Sequence, residues 1–76
     1  MNDLTYYCDS DRHLVCKPYS VENLHKMAEK LNIKKCWFHK DNNCHYDIPK
    51  ERVDEIKDKC IVISSREIIH ICKNKI

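Results

Sequence analysis

No glycine occurs among the 76 residues, and that absence excludes more than any other feature of the composition. The P-loop and the dinucleotide fingerprint both need backbone to approach phosphate at a Gly position, so an anion site here has to be built from side chains or helix ends. There is no run of about 18 apolar residues, which excludes a membrane-spanning helix. The start, Met1-Asn2-Asp3-Leu4-Thr5, lacks the basic-then-apolar pattern of an export signal, and the expected location is the cytoplasm. Charge of one sign is also scarce: 14 Lys and Arg face 12 Asp and Glu, for a net +2. General nucleic-acid coating needs a concentrated basic face, so neither nucleic acid nor a membrane is an expected partner. The chain has room for one core only, a single domain over residues 1–76.

Hydrophobic residues make up 42% and charged residues 34%, the balance of a chain that folds. Six cysteines, Cys8, Cys16, Cys36, Cys44, Cys60 and Cys72, would form a disulfide scaffold in a secreted protein. In the cytoplasm they are expected to be thiols, and none forms a C-x-x-C pair.

Leu4-Thr5-Tyr6-Tyr7-Cys8 is rich in strand formers and ends at the polar Asp9-Ser10-Asp11, so it reads as a strand followed by a loop through Pro18. Ser20 suits a helix N-cap. Val21, Leu24, Met27, Ala28 and Leu31 then recur on one helical face, and Asn32 closes the helix. Ile33 to Phe38 reads as a second strand and His39 to Asn43 as a loop. Asp47-Ile48-Pro49 suits the start of a second helix over Lys50 to Lys59. Cys60-Ile61-Val62-Ile63 reads as a buried parallel strand, and Ser64-Ser65-Arg66-Glu67 is a capping box opening a terminal helix.

The expected fold is therefore α/β, with a small three-stranded, mainly parallel sheet in β-α-β-α-β-α order. Ligands collect at the carboxyl ends of parallel strands, here Asp9 to His13, His39 to His45 and Ser64 to Arg66. Three strands leave apolar surface over, which predicts a homodimer.

The segments Tyr7-Cys8-Asp9-x-x-Arg12, Glu22-x-Leu24-His25-x-Met27-Ala28, Cys36-Trp37-Phe38, His45-Tyr46-Asp47 and Val62-Ile63-Ser64-Ser65-Arg66-Glu67 occur in that order. In this the chain resembles the small bacterial and phage proteins grouped as domain of unknown function 4031. The resemblance spans nearly the whole chain and rests most on Trp37 with His45-Tyr46-Asp47 and on the Asp9 to Arg12 turn. It implies fold boundaries and positions of interest, and no reaction.

Four constellations carry chemistry, each beside a plain structural reading. Asp9, Asp11, Arg12 and His13 follow the first strand: the carboxylates suit a divalent cation and Arg12 a phosphate, or the set is a solvated turn. His45 and Asp47 share a face if the backbone is extended, giving a base and its orienter, while Asp47 is equally well placed to cap the second helix. Trp37 with Phe38 and His39 offers stacking surface near Lys34, Lys35 and Lys40, or fills the core. Cys36, His39, Cys44 and His45 have the ligand types of a zinc knuckle, against which the adjacency of Cys44 and His45 weighs.

The preferred reading is binding of a small phosphate-bearing molecule, a nucleotide or a nucleotide-derived signal, with no cofactor and no metal. Arg12, Lys17 and Arg66 meet the anion, Trp37 and Tyr46 stack, His45 and His39 hydrogen-bond, and Asp9 completes the set. The alternatives are a metal-dependent phosphodiesterase or nuclease-like hydrolase using Asp9 and Asp11, and a zinc-stabilised nucleic-acid or protein adaptor.

Overall fold

At Asp9 to Arg12 the chain reverses direction without a glycine. The Asp9 carboxylate closes the turn, its Oδ1 accepting the backbone N–H groups of Asp11 and His13 at 2.9 Å each. Arg12 takes the left-handed conformation, φ 66°, that glycine usually supplies. The computed structural model describes residues 4–40 and 43–73. It opens on an antiparallel hairpin of β1 (Thr5–Cys8) and β2 (His13–Lys17), with Tyr7 opposite Val15 and Cys8 opposite Leu14.

Two more strands extend the sheet beyond β2: β4 (His45–Asp47) antiparallel to it, then β3 (Phe38–His39) antiparallel to β4. On the other side β5 (Ile61–Val62) pairs in parallel with β1. The order is β3-β4-β2-β1-β5, a five-stranded mixed sheet in which one pairing is parallel. This corrects the expected three-stranded, mainly parallel sheet. Within the expected loop through Pro18, Leu14-Val15-Cys16 is an apolar run that, with Lys17, pairs directly back onto β1. The expected strand over Ile33 to Phe38 is mostly a 3-10 turn at Lys35–Trp37, with strand only from Phe38. In the expected loop after His39, residues 41 and 42 lie outside the described residues.

The first helix, α1 (Val21–Leu31), forms as its signals predict: Ser20 Oγ accepts the Asn23 N–H at 3.0 Å, and Asn32 closes it in the left-handed region. Leu24, Met27, Ala28 and Leu31 are buried along its inner face, and Val21 stays exposed. The next helix is shorter than expected, a 3-10 turn at Lys50–Arg52 running into α2 (Val53–Lys57). Asp47 does not cap it, because Asp47 is committed to β4. Arg52 instead ties this region to α1, donating to the carbonyls of Leu31 and Asn32 that the end of α1 leaves unpaired. The capping box opens α3 (Ser65–Lys73) as predicted, with the Glu67 N–H on Ser64 Oγ and the Ser64 N–H on Glu67 Oε1, each at 3.2 Å.

Alternation along the strands sorts the side chains onto two faces. Cys8, Leu14, Cys16 and Tyr46, all buried, share the face packed on α1. His13, Val15, His45 and Asp47 share the other, where α3 lies against β2. A helix therefore lies on each face. The parallel strand expected at Cys60 to Ile63 is present as β5, at the edge rather than in the interior, with Ile61 and Val62 each 51% exposed. No helix among the described residues is long and apolar enough to cross a membrane.

Candidate functional site

The register of three strands assembles a histidine–carboxylate quartet on the α3 face. Asp47 lies directly opposite His13, and His39 directly opposite His45. His45 and Asp47, two residues apart on β4, point the same way. The contacts follow that layout. His39 Nε2 donates to Asp47 Oδ2 at 2.7 Å, and His45 Nε2 stands 3.4 Å from Asp47 Oδ1. The His13 and His45 rings meet edge to face at 5.0 Å, and His39 stacks on His45 at 5.2 Å.

Hydrogen bonds set the tautomers of the two inner rings. A carbonyl oxygen only accepts, so His45 Nδ1, 2.7 Å from the Asn43 carbonyl, carries a proton and donates it. His13 Nδ1 lies 2.9 Å from Asp9 Oδ2. Asp9 is 4% exposed, and burial alone would push its carboxyl up. The side-chain bond from His13, the His13 backbone N–H and the Ser65 hydroxyl outweigh that and hold it below its ordinary range. Asp9 is thus the acceptor and His13 Nδ1 the donor. In both rings the neutral form leaves the lone pair on Nε2.

Asp9 has no acceptor direction to spare for a ligand. Its Oδ1 takes the N–H groups of Asp11 and His13, and its Oδ2 takes His13 Nδ1 and the Ser65 hydroxyl at 2.8 Å. The same hydroxyl lies 3.0 Å from Asp11 Oδ2. Asp9 is therefore the post that fixes the β1–β2 turn, the His13 ring and the start of α3 against one another.

Beside this cluster is a pocket of about 350 Å³. Its polar side is formed by His13, Asn43, His45 and Ser65, and its apolar side by Ile68, Ile69 and Cys72 of α3. Among the residues expected to meet a ligand, the structure brings together His45, His39 and Asp9, with Asp9 and His39 standing behind the rings that line the pocket. Lys17 is at the other end of β2, four residues and about 13 Å along the strand from His13, with its ammonium over the Tyr7 ring. Tyr46 is 1% exposed on the α1 face, its hydroxyl 2.7 Å from His25 Nδ1, so it offers no stacking surface to the pocket. Trp37 packs against the core from the 3-10 turn. Arg12 reaches the Ile48 carbonyl from the turn, and Arg66 is exposed in the first turn of α3.

Of the other pocket residues, His13 and Ser65 fall within segments expected to collect a ligand, without an assigned contact, and the Ile68–Ile69 wall was not expected. His13 is signalled by its place four residues after Asp9 across a tight polar turn, and Ser65 by the capping box. The Ile68–Ile69 wall has no local signal, because it depends on where α3 docks. Of the four residues considered for a zinc knuckle, Cys36 is exposed in the 3-10 turn, and neither group of described residues able to surround an ion includes a cysteine.

Fold and site together define a small α/β protein with a histidine–carboxylate pocket where the sheet meets a helix. The chain belongs to the family described as protein of unknown function (DUF4031), which matches residues 10–75. The matched span holds His13, His45, Asp47 and the pocket wall of α3. No curated protein and no solved structure matches the chain.

Proposed function

We propose that the protein binds a small phosphate-bearing molecule, a nucleotide or nucleotide-derived signal, in the pocket between α3 and the His13–His45 corner of the sheet. The divided lining of that pocket carries the reading. Its volume of about 350 Å³ falls within the range of small-molecule sites, at the lower end. Imidazoles, an amide and a hydroxyl face a polar head, while Ile68 and Ile69 face a ring or other apolar body. Isothermal titration with AMP, adenosine and inorganic phosphate tests it. AMP should bind at least tenfold tighter than adenosine, and His45→Gln should lose at least tenfold, about 1.4 kcal/mol. Equal heats from AMP and adenosine, or affinity unchanged in His45→Gln, would count against it.

One observation favours a hydrolytic form of the same reading. The buried Asp9 holds His13 by Nδ1, the arrangement in which a carboxylate orients a general base. On that form a chromogenic phosphodiester is turned over, and Asp9→Asn abolishes turnover while circular dichroism stays native.

A further inference from the structure

The juxtaposition of His45 Nε2 with Asp47 Oδ1 is electrostatically incomplete. With Nδ1 donating to the Asn43 carbonyl, a neutral His45 presents a lone pair to a carboxylate oxygen 3.4 Å away. Two acceptors at that distance repel unless a proton or a cation sits between them. Ligand atoms around a tetrahedral ion with bonds of about 2.1 Å stand about 3.4 Å apart, so the pair already has the spacing of one edge of such a site. One ring nitrogen of His13 joins them, the three atoms all lying within 4.8 Å of one another.

We propose that His13, His45 and Asp47 bind one divalent first-row transition ion, with zinc the best match to two imidazoles and a carboxylate, and that its fourth position opens into the pocket. The surroundings match what such ligands require. A metal-bound histidine uses one nitrogen and donates from the other to a carboxylate or carbonyl; His13 donates to Asp9, and His45 to the Asn43 carbonyl. A carboxylate ligand is held by its second oxygen, and His39 holds Asp47 by Oδ2. Asp9 and Asp11 are a poorer pair of ligands, since every acceptor direction of Asp9 is taken within the protein. Magnesium prefers an all-oxygen shell, which this set lacks.

This inference rests on the reading of the pocket as the ligand site for what fills the fourth position, and it supplies what that reading needs. Asp9, Asp11 and Asp47 surround the polar end of the pocket with negative charge, which a bound cation offsets before a phosphate oxygen arrives. Three protein ligands and an open position are the pattern of ions that meet a substrate rather than of ions that only hold a fold.

The test is a Co²⁺ titration of the reduced protein followed by visible absorption. One equivalent should bind, giving ligand-field bands without a thiolate-to-metal charge-transfer band. Affinity should fall at least tenfold in His13→Gln, in His45→Gln and in the near-isosteric Asp47→Asn, and stay unchanged in the double variant Cys36→Ser, Cys44→Ser. A thiolate band, a variant of the triad that binds as the parent does, or no saturable binding would each overturn the site. A proton alone between His45 and Asp47 predicts the last of these. Titrating AMP into zinc-loaded and chelator-treated protein separates the two readings. Zinc bound by the triad with no AMP binding leaves the metal site standing and removes the ligand. Equal AMP affinity in both forms removes the ion's role and leaves the ligand.

Discussion

The two faces of one sheet differ in almost everything except the strands that make them. On the α1 face, Leu14, Cys8, Cys16 and Tyr46 are buried with Leu24 and Met27, and the bond from Tyr46 to His25 is its chief polar contact. On the α3 face, residues one step along the same strands are His13, His45 and Asp47, and beside them is a pocket. Because side chains alternate with period two, a single register fixes both faces. The α3 face has buried side chains of its own in Val15, Ile68, Ile71 and Cys72, but at its His13–His45 corner polar groups take the place of apolar ones.

That contrast makes predictions of graded size. Leu14→Ala or Leu24→Ala removes a fully buried side chain from the α1 face and should cost about 2–5 kcal/mol in urea unfolding. Asp9→Asn breaks the charge-assisted bonds on both carboxylate oxygens and should cost about 1–3 kcal/mol, the largest loss expected from the polar cluster. Tyr46→Phe, confined to the α1 face, should cost about 1 kcal/mol and leave Co²⁺ and AMP binding unchanged. His45→Gln should show the reverse, with unfolding shifted by less than about 1 kcal/mol and binding lost.

Acid gives a further way to sharpen the comparison. The folded-state pKa of Asp9 is lowered, so the unfolded chain binds the proton more readily. The stability Asp9 contributes is complete above the ordinary aspartate value of about 3.9 and is lost as pH falls through the folded value. Urea midpoints measured from neutral pH to pH 3 should fall, and fall less in Asp9→Asn. Thiol labelling gives the smallest effect. Burial pushes Cys16 up to about 11, and burial with the neighbouring Cys8 pushes Cys60 up to about 12. Both should alkylate far more slowly than the exposed Cys36 at neutral pH, as read by mass spectrometry of labelled peptides.

The helix ends were legible in the sequence because capping is local: Ser20, Asn32 and the Ser64–Glu67 box each act within four residues. The hairpin was not legible. Its turn uses Asp9 side-chain bonds and a left-handed Arg12 where a glycine signal is ordinarily sought. Missing that turn hid β2, and with it the pairing of His13 to Asp47 that defines the site. Of the three segments expected at one end of the sheet, Asp9 to His13 and Ser64 to Arg66 meet there, because the β1 and β5 ends adjoin the start of the antiparallel β2. The antiparallel β2–β4 register instead sends the start of β4 toward the other end, where the Tyr19 hydroxyl donates to the Cys44 carbonyl. Lys17 and Tyr46 were misplaced for one reason: the end and the face of a strand on which a residue falls are set by register, which composition does not report.

The most direct measurement is a ¹⁵N–¹H correlation spectrum of the protein titrated with AMP. The account predicts shifts concentrated at His13, Asn43, His45, Ser65, Ile68 and Ile69, with Leu24 to Leu31 of α1 unmoved. Shifts centred on α1 or on Lys17, or a spectrum unchanged at saturating AMP, would contradict it.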